Sequence, residues 1–142
     1  VERYMPVGTA FRVGHHATLH SDNPMTPINP LRVMRTAIRR IPRKGGAAIG
    51  PGERLELDQA LRAMTTNAAR QLGVEKHRGS LEPGKAADLV ILSQNPRETP
   101  PEALADIGVL GTWIDGQPVD TRKASRPNLA LALRALREMA VR

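Results

Sequence analysis

The 142-residue sequence lacks cysteine, has few aromatic residues and contains no long apolar run. The absence of cysteine excludes disulfides, thiolate metal sites and cysteine nucleophiles. The three aromatic side chains, Tyr4, Phe11 and Trp113, offer little for the base stacking on which single-strand recognition depends. The longest apolar run, residues 129–133, is far shorter than the roughly 18 residues of a membrane span, so we expect no membrane association. Hydrophobic residues still make up 40% of the chain, which is enough for the core of one domain.

Charge is plentiful but unevenly distributed. The chain has 21 Lys and Arg residues against 14 Asp and Glu residues, for a net charge of +7. Residues 23–52 contain six basic and no acidic side chains, and residues 121–142 contain six basic side chains against Glu138 alone. Such stretches can attract a polyanion, but solvated helix faces give the same pattern. Nucleic-acid binding therefore ranks below the alternatives given below.

Residues 14–22 alternate with the period of a β-strand, which would place three histidine or aspartate side chains on one face. At about 3.3 Å per residue, His16 and Asp22 would lie roughly 20 Å apart on that strand. Metal–ligand bonds are only about 2.0–2.2 Å long, so these two residues cannot bind the same ion. His20 and Asp22 remain as a pair that could serve one site, and two ligands do not complete a metal site.

Three helices are predicted from caps and apolar periodicity. Asn29-Pro30 is typical of a helix N-terminus, and the helix that follows should end at Pro42. A second helix is predicted over residues 57–72, with Gly73 as its C-terminal cap. An amphipathic helix is predicted over residues 129–140, after a linker.

Strands are predicted over residues 86–92 and 106–114. Asp115-Gly116 is a strong hairpin signal, and it should join the second of these strands to a short third one. Pro83-Gly84 is typical of the centre of a type II turn.

The order of the motifs is more informative than any one of them. Thr18-Leu-His-Ser-Asp-Asn-Pro24 comes first, and Leu57-Asp-Gln-Ala-Leu61 with Thr65-Thr-Asn-Ala-Ala69 follows. Gly79-Ser-Leu-Glu-Pro-Gly-Lys-Ala-Ala-Asp-Leu-Val-Ile-Leu92 and Thr112-Trp-Ile-Asp-Gly116 complete the series. Over about residues 6–120, this series resembles the C-terminal part of the amidohydrolase superfamily, specifically amidohydrolase family 3.

The resemblance implies an α/β fold taken from a larger architecture. Residues 1–78 would form the last strand and helices of a metal-dependent TIM-barrel hydrolase. Residues 79–120 would form strands of a small composite β-sandwich, and residues 121–142 a linker and terminal helix. A closed barrel needs about 200–250 residues, so the resemblance implies that the chain is a C-terminal fragment.

The resemblance also implies roles for particular residues. Asp22 would bind a divalent metal, expected to be zinc, and would accept the proton of the attacking water. His20 would orient Asp22 without necessarily being a ligand. Five residues in the turn after the second helix and at the start of the following strand would be structural. They are Gly79, Pro83, Gly84, Lys85 and Asp88. The segment alone is expected to hold no metal.

The implied activity is hydrolysis of non-peptide carbon–nitrogen bonds, with the isolated chain expected to be inactive. The expected partners are an amide-like small-molecule substrate, the missing N-terminal part of the same enzyme and a second copy of the chain. We expect a cytoplasmic protein. The alternative is a non-catalytic basic binding module derived from the same scaffold.

Overall fold

The computed structural model describes residues 4–120, which form a mixed α/β structure with a small antiparallel sheet. The predicted helix over residues 129–140 lies outside the described residues. None of the helices within residues 4–120 is long and apolar enough to cross a bilayer. The helices are α1 (Val7–Arg12), α2 (Pro30–Arg39), α3 (Leu57–Met64) and α4 (Thr66–Gln71); short 3₁₀ helices span Pro51–Glu53 and Pro101–Asp106; and the strands are β1 (Leu89–Leu92), β2 (Val109–Ile114) and β3 (Gln117–Pro118).

Helix α2 begins where its sequence predicts. The Asn29 side chain accepts a hydrogen bond from the Arg32 N–H at 3.0 Å, and Pro30 occupies the first helical position. The helix ends at Arg39, before the Pro42 that was expected to stop it, because Arg40 adopts a left-handed conformation with φ of 53°. Its buried face consists of Leu31, Met34 and Ala37.

The hydrophobic core forms where α2 meets α3 and the second 3₁₀ helix. Leu104 and Leu55 are each 1% exposed, and Ile107 is 5% exposed. Leu104 lies in a 3₁₀ helix that the periodicity did not reveal, because six residues are too few to show a repeating pattern. The core cluster consists of Leu31, Met34, Ala37, Leu55, Ala60, Leu104 and Ile107.

The single helix predicted over residues 57–72 is wrong, because two helices occupy this stretch. Thr65 breaks the helix with φ of −126° and ψ of −91°. Its hydroxyl donates to the Leu61 carbonyl oxygen at 2.7 Å, an interaction that competes with regular helical geometry. After the break the apolar stripe no longer faces the core, so Leu72 is 76% exposed. Gly73 follows the second helix with φ of 70°, as a C-terminal cap requires.

The sheet has the order β1-β2-β3, with both pairs antiparallel. The hairpin predicted at Asp115-Gly116 is confirmed, and both residues have positive φ (50° and 74°), as a type I′ turn requires. Strand β2 begins at Val109 and not at Asp106, because residues up to Asp106 belong to the 3₁₀ helix.

The strand predicted over residues 14–22 does not form within the described residues 4–120. These residues form no strand, and Asp22 has φ of 53°, which is left-handed and not extended. A strand needs a hydrogen-bonded neighbour, and within residues 4–120 the paired strands all lie between Leu89 and Pro118. Alternation in sequence therefore does not make a strand here.

Candidate functional site

The segment that leads to His20 and Asp22 is held against α4 by side chains. The Asn67 side-chain amide donates to the Ala17 carbonyl oxygen at 2.9 Å, and Asn67 is only 6% exposed. The Thr18 hydroxyl donates to the Gln71 side-chain oxygen at 2.6 Å. The neighbouring His16 ring contacts the Arg70 guanidinium. Helix α4 therefore fixes the position of the segment two residues before His20.

His20 and Asp22 come together through the backbone. The Asp22 N–H donates to His20 Nδ1 at 3.1 Å, which leaves Nε2 to carry the proton of a neutral ring. The Asp22 carbonyl oxygen accepts from the Met25 N–H at 2.8 Å, so Asp22 opens a tight turn. The Asp22 side chain is exposed, and within residues 4–120 its carboxylate has no hydrogen-bond partner. Asp22 can therefore accept a proton or bind a cation.

The described residues do not by themselves fit a metal ion. Structural and catalytic zinc sites use three or four protein ligands. Within residues 4–120, no group of three or more His, Cys, Asp or Glu side chains is arranged to hold a metal. Asp22 offers one exposed carboxylate as a metal ligand, and the Nδ1 atom of His20 already accepts a hydrogen bond. Further ligands would have to come from outside these residues.

A cavity of about 470 Å³ lies beside the segment that leads to His20 and Asp22, because His16 and the α4 residues Asn67 and Arg70 line it. Neither His20 nor Asp22 lines it, whereas Lys85, one of the residues predicted to be structural, does. Glu75 lines it, and the Oε2 atom of Glu75 is buried without a hydrogen-bond partner within the described part of the chain. The other titratable side chains that line the cavity are His15, His16, Arg62, Arg70, Arg78, Glu82 and Lys85.

The turn predicted at Pro83-Gly84 is present in the structure. The Lys85 N–H donates to the Glu82 carbonyl oxygen at 3.1 Å, and Gly84 has φ of 89°, as a type II turn requires at this position. The Ser80 hydroxyl donates to the Glu82 carboxylate at 2.6 Å, and Lys85 Nζ lies 3.3 Å from the same oxygen. The Ser80 hydroxyl and then the Lys85 ammonium hold the pKa of Glu82 below its usual value.

Gly79 occupies a position that only glycine fills without strain. It has φ of 96°, and a Cβ atom there would lie 2.5 Å from the Cβ atom of Ala69 on α4. The turn segment that Gly79 begins therefore packs directly against α4, the same helix that holds residues 16–18.

Asp88 joins the turn segment to the hairpin. Its Oδ1 atom accepts from the Asp115 N–H at 2.9 Å, and its Oδ2 atom accepts from Arg78. Arg78 also donates to the Asp115 carboxylate at 2.7 Å. The Asp115 N–H and then the Arg78 guanidinium lower the pKa of Asp88, while both carboxylates raise the pKa of Arg78. The position just before β1 thus supports an ionised aspartate.

A family model described as the amidohydrolase family matches residues 1–120. The chain belongs to the amidohydrolase family. The family 3 resemblance inferred from the motif order is therefore confirmed. The match ends at Asp120, so residues 121–142 lie outside it.

Individual relatives agree with this membership. The chain is 46% identical to Protein LONG AFTER FAR-RED 3 of Arabidopsis thaliana over 101 residues, which are 70% of this chain and 17% of the relative. It is 34% identical to the N-substituted formamide deformylase of Arthrobacter pascens over 114 residues, or 80% of this chain and 21% of that protein. The chain thus spans about a fifth of the length of these two curated relatives.

A solved amidohydrolase has a similar fold. The crystal structure of an amidohydrolase from Thermotoga maritima MSB8 superimposes with a TM-score of 0.62 and 29% sequence identity. The superposition covers 80% of this chain and 25% of the amidohydrolase.

Two residues that organise the candidate site were not singled out from the sequence. Asn67 lies in the Thr-Thr-Asn motif used for the resemblance, yet its role depends on a contact 50 positions away. Arg78 directly precedes Gly79, and its two carboxylate partners lie 10 and 37 positions away. The available sequence signal for Asn67 was an asparagine inside a predicted helix, because its side chain competes with the helical backbone for hydrogen bonds. For Arg78 the signal was an arginine directly before the Gly79 turn segment.

Proposed function

We propose that this chain is the C-terminal part of a metal-dependent amidohydrolase that hydrolyses carbon–nitrogen bonds of non-peptide, amide-like small molecules. The observation that carries the proposal is the similarity to an N-substituted formamide deformylase over 80% of this chain. Amidohydrolase-family membership over residues 1–120 supports the same class of reaction.

The architecture belongs to the same proposal. Residues 1–78 would supply the last strand and helices of the barrel, and residues 79–120 would supply strands of the small sandwich. The chain is similar to a quarter of a solved amidohydrolase, which supports the proposal that the rest of the enzyme supplies the remaining strands and helices. In the complete enzyme, a neighbouring barrel strand would give residues 15–22 the pairing that they lack within residues 4–120.

Asp22 is the residue to which we assign the chemistry. Its exposed carboxylate has no partner within the described part of the chain, and α4 fixes the segment that leads to it. An ionised carboxylate in this position would accept the proton of the attacking water. His20 would be a positioning residue, since its ring accepts the backbone N–H of Asp22 at 3.1 Å. A divalent metal, which we expect to be zinc, would lower the pKa of bound water and polarise the substrate carbonyl.

The test uses the longest natural polypeptide that contains this chain, assayed on N-substituted formamides. We expect Asp22→Asn to lower kcat by about 10²- to 10⁴-fold with the fold intact by circular dichroism, because it removes the proton acceptor. Ser21→Ala is the matched control and should change kcat far less, since the Ser21 contact in this turn is made by its backbone carbonyl oxygen. His20→Ala should fall between the two.

Near-normal turnover by Asp22→Asn would contradict the assignment of this residue. The 142-residue chain by itself should not hydrolyse these substrates, and zinc-dependent hydrolysis by that chain would contradict the incomplete-site proposal. If the longest natural polypeptide neither hydrolyses an amide nor binds a divalent metal, the non-catalytic basic binding module becomes the better explanation.

A further inference from the structure

The carboxylate of Glu53 is buried, and the proposed reaction does not use it. Glu53 lies in the 3₁₀ helix Pro51–Glu53 and is only 6% exposed. Its Oε2 atom accepts the Thr9 N–H at 2.6 Å, and its Oε1 atom accepts the Thr9 hydroxyl at 2.5 Å. Arg12 also donates to Oε1, at 3.3 Å. Both carboxylate oxygens therefore have partners on α1, and Glu53 is not free to bind a metal ion.

Within residues 4–120, helix α1 has no local side-chain cap. Its N-cap residue is Pro6, whose side chain has no acceptor, and its first turn contains no acidic residue. Thr9 is the third residue of the helix, and its N–H is one of those that an N-cap side chain usually satisfies. Glu53 accepts this N–H from 44 positions away, and its negative charge lies at the positive end of the helix dipole. Glu53 therefore caps α1 in place of a local residue.

The contact between α1 and Glu53 is close. A Cβ atom at Gly8 would lie 2.9 Å from the Glu53 Cα atom, so the helix packs directly on the backbone of the 3₁₀ helix. The Thr9 hydroxyl and then the Thr9 N–H hold the pKa of Glu53 below its usual value, so the carboxylate is ionised at neutral pH. Val7 and Phe11 also pack against the core, but both side chains are only partly buried. Loss of the Glu53 carboxylate should therefore loosen α1.

Helix α1 sets the start of the loop that carries His20 and Asp22. The His15 N–H donates to the Ala10 carbonyl oxygen at 2.9 Å, so the chain is tied to the end of α1 as far as His15. Residues 16–18, which come next, are held by side chains of α4. No residue lies between the part held by α1 and the part held by α4, so a movement of α1 would be passed on to the loop.

We propose that Glu53 is a positioning residue that holds α1 and thereby fixes the loop that presents Asp22 to the substrate. The hold on α1 follows from the geometry alone, whereas the effect on turnover rests on the proposed function of Asp22. Glu53 acts through Asp22 and does not touch the reacting atoms.

The first experiment follows hydrogen exchange in the longest natural polypeptide that contains this chain. Glu53→Ala should raise deuterium uptake in residues 7–18 several-fold, because α1 loses its cap, and should leave uptake in β1 and β2 unchanged. Glu53→Gln should have a smaller effect, since its amide oxygen can still accept the Thr9 N–H. Glu98→Ala is the matched control, because the exposed Glu98 carboxylate accepts from the Asn95 side chain, three positions away.

The second experiment measures turnover of N-substituted formamides by the same polypeptide. Glu53→Ala should lower kcat by about tenfold with a much smaller change in KM, because a displaced Asp22 affects the transition state more than substrate binding. In an Asp22→Asn background, Glu53→Ala should cause no further decrease in kcat, because Glu53 acts through Asp22. A residue needed only for folding would instead lower kcat by the same factor in both backgrounds.

The outcomes separate the role of Glu53 from the proposed function. Near-normal turnover by Asp22→Asn would overturn the assignment of Asp22 and the expected effect on turnover, whereas the exchange measurement would still test the hold on α1. Unchanged uptake in residues 7–18, or an equal rise in β1 and β2, would overturn that hold. A further decrease in kcat when Glu53→Ala is added to Asp22→Asn would overturn the positioning role. Where Glu53→Ala does not fold, Glu53→Gln is used for the same comparisons.

Discussion

Residues 15–22 and residues 78–118 are both held by hydrogen bonds, but their partners lie at very different distances along the chain. Residues 16–18 bind side chains of α4 that lie 50 to 54 positions away. In the second region, Glu82 and Lys85 close a turn three positions apart, and Asp88 binds Asp115 across 27 positions. The first region is a loop that α4 positions, whereas contacts among its own residues also hold the second region in place.

This difference matters for the candidate site. Asp22, proposed to carry out the chemistry, lies at the end of the loop, so its location depends on how well α4 holds residues 16–18. Asp88, proposed to be structural, lies in the region with local support. Helix α4 supports both regions, because Asn67 binds the Ala17 carbonyl oxygen and Ala69 packs against Gly79.

The largest effect is expected at the contact between α4 and the turn segment. Gly79→Ala should lower the free energy of unfolding by about 2–4 kcal/mol, because it combines a strained positive φ with an overpacked contact. A Cβ atom there would lie 2.5 Å from the Ala69 Cβ atom. Gly84→Ala is the matched control, since Gly84 also has positive φ but no atom lies near its Cβ position. Urea denaturation of the two variants measures the difference. Equal decreases in the free energy of unfolding would show that the contact between Gly79 and α4 does not limit the size of the side chain there.

A smaller effect is expected from releasing the loop. Asn67→Ala should lower the free energy of unfolding by about 1–3 kcal/mol, because it removes a buried amide that satisfies the Ala17 carbonyl oxygen. Amide exchange in residues 17–22 should rise more than exchange in β1 and β2. Gln71→Ala removes the exposed partner of Thr18 and should have a milder effect on both measurements. If Asn67→Ala increases exchange equally in the loop and the sheet, the two regions are not supported independently.

The smallest effect is expected from the charge of Asp88, which is partly solvated. Because the Asp115 N–H and Arg78 lower its folded-state pKa, Asp88 stabilises the fold above the unfolded aspartate pKa of about 3.9. That contribution is lost as the pH falls through the lower, folded-state pKa. Asp88→Asn should therefore flatten the acid limb of the Tm-against-pH curve below about pH 4.

Asp58→Asn is the control for this titration, since Asp58 pairs with Arg97 on the exposed surface at 2.8 Å. Surface ion pairs of this kind contribute little to stability. An acid limb that is equally steep in Asp88→Asn and in the unsubstituted chain would show that the Asp88 interactions add nothing to the stability of the sheet region.

The features predicted correctly from the sequence share one property. The Asn29 cap, the Pro83-Gly84 turn and the Asp115-Gly116 hairpin each depend on the conformational preferences of a few adjacent residues. Family membership was also predicted correctly, because the order of motifs survives in a chain that covers a fifth of its relatives. The roles given to Asp22 and His20 remain predictions that rest on that membership.

Tertiary structure decided the features that depend on distant residues. Alternating side chains in residues 14–22 fit a strand, but a strand needs a neighbour, and α4 supplies side-chain partners instead. The break at Thr65 and the burial of Leu104 arise where separate elements meet, so no local sequence pattern predicts them. The sequence by itself thus determined the caps, the turns and the family, because short-range backbone preferences act within a few residues. The folded chain alone determined the path of the loop to Asp22, because its hydrogen-bond partners lie about 50 positions away in α4.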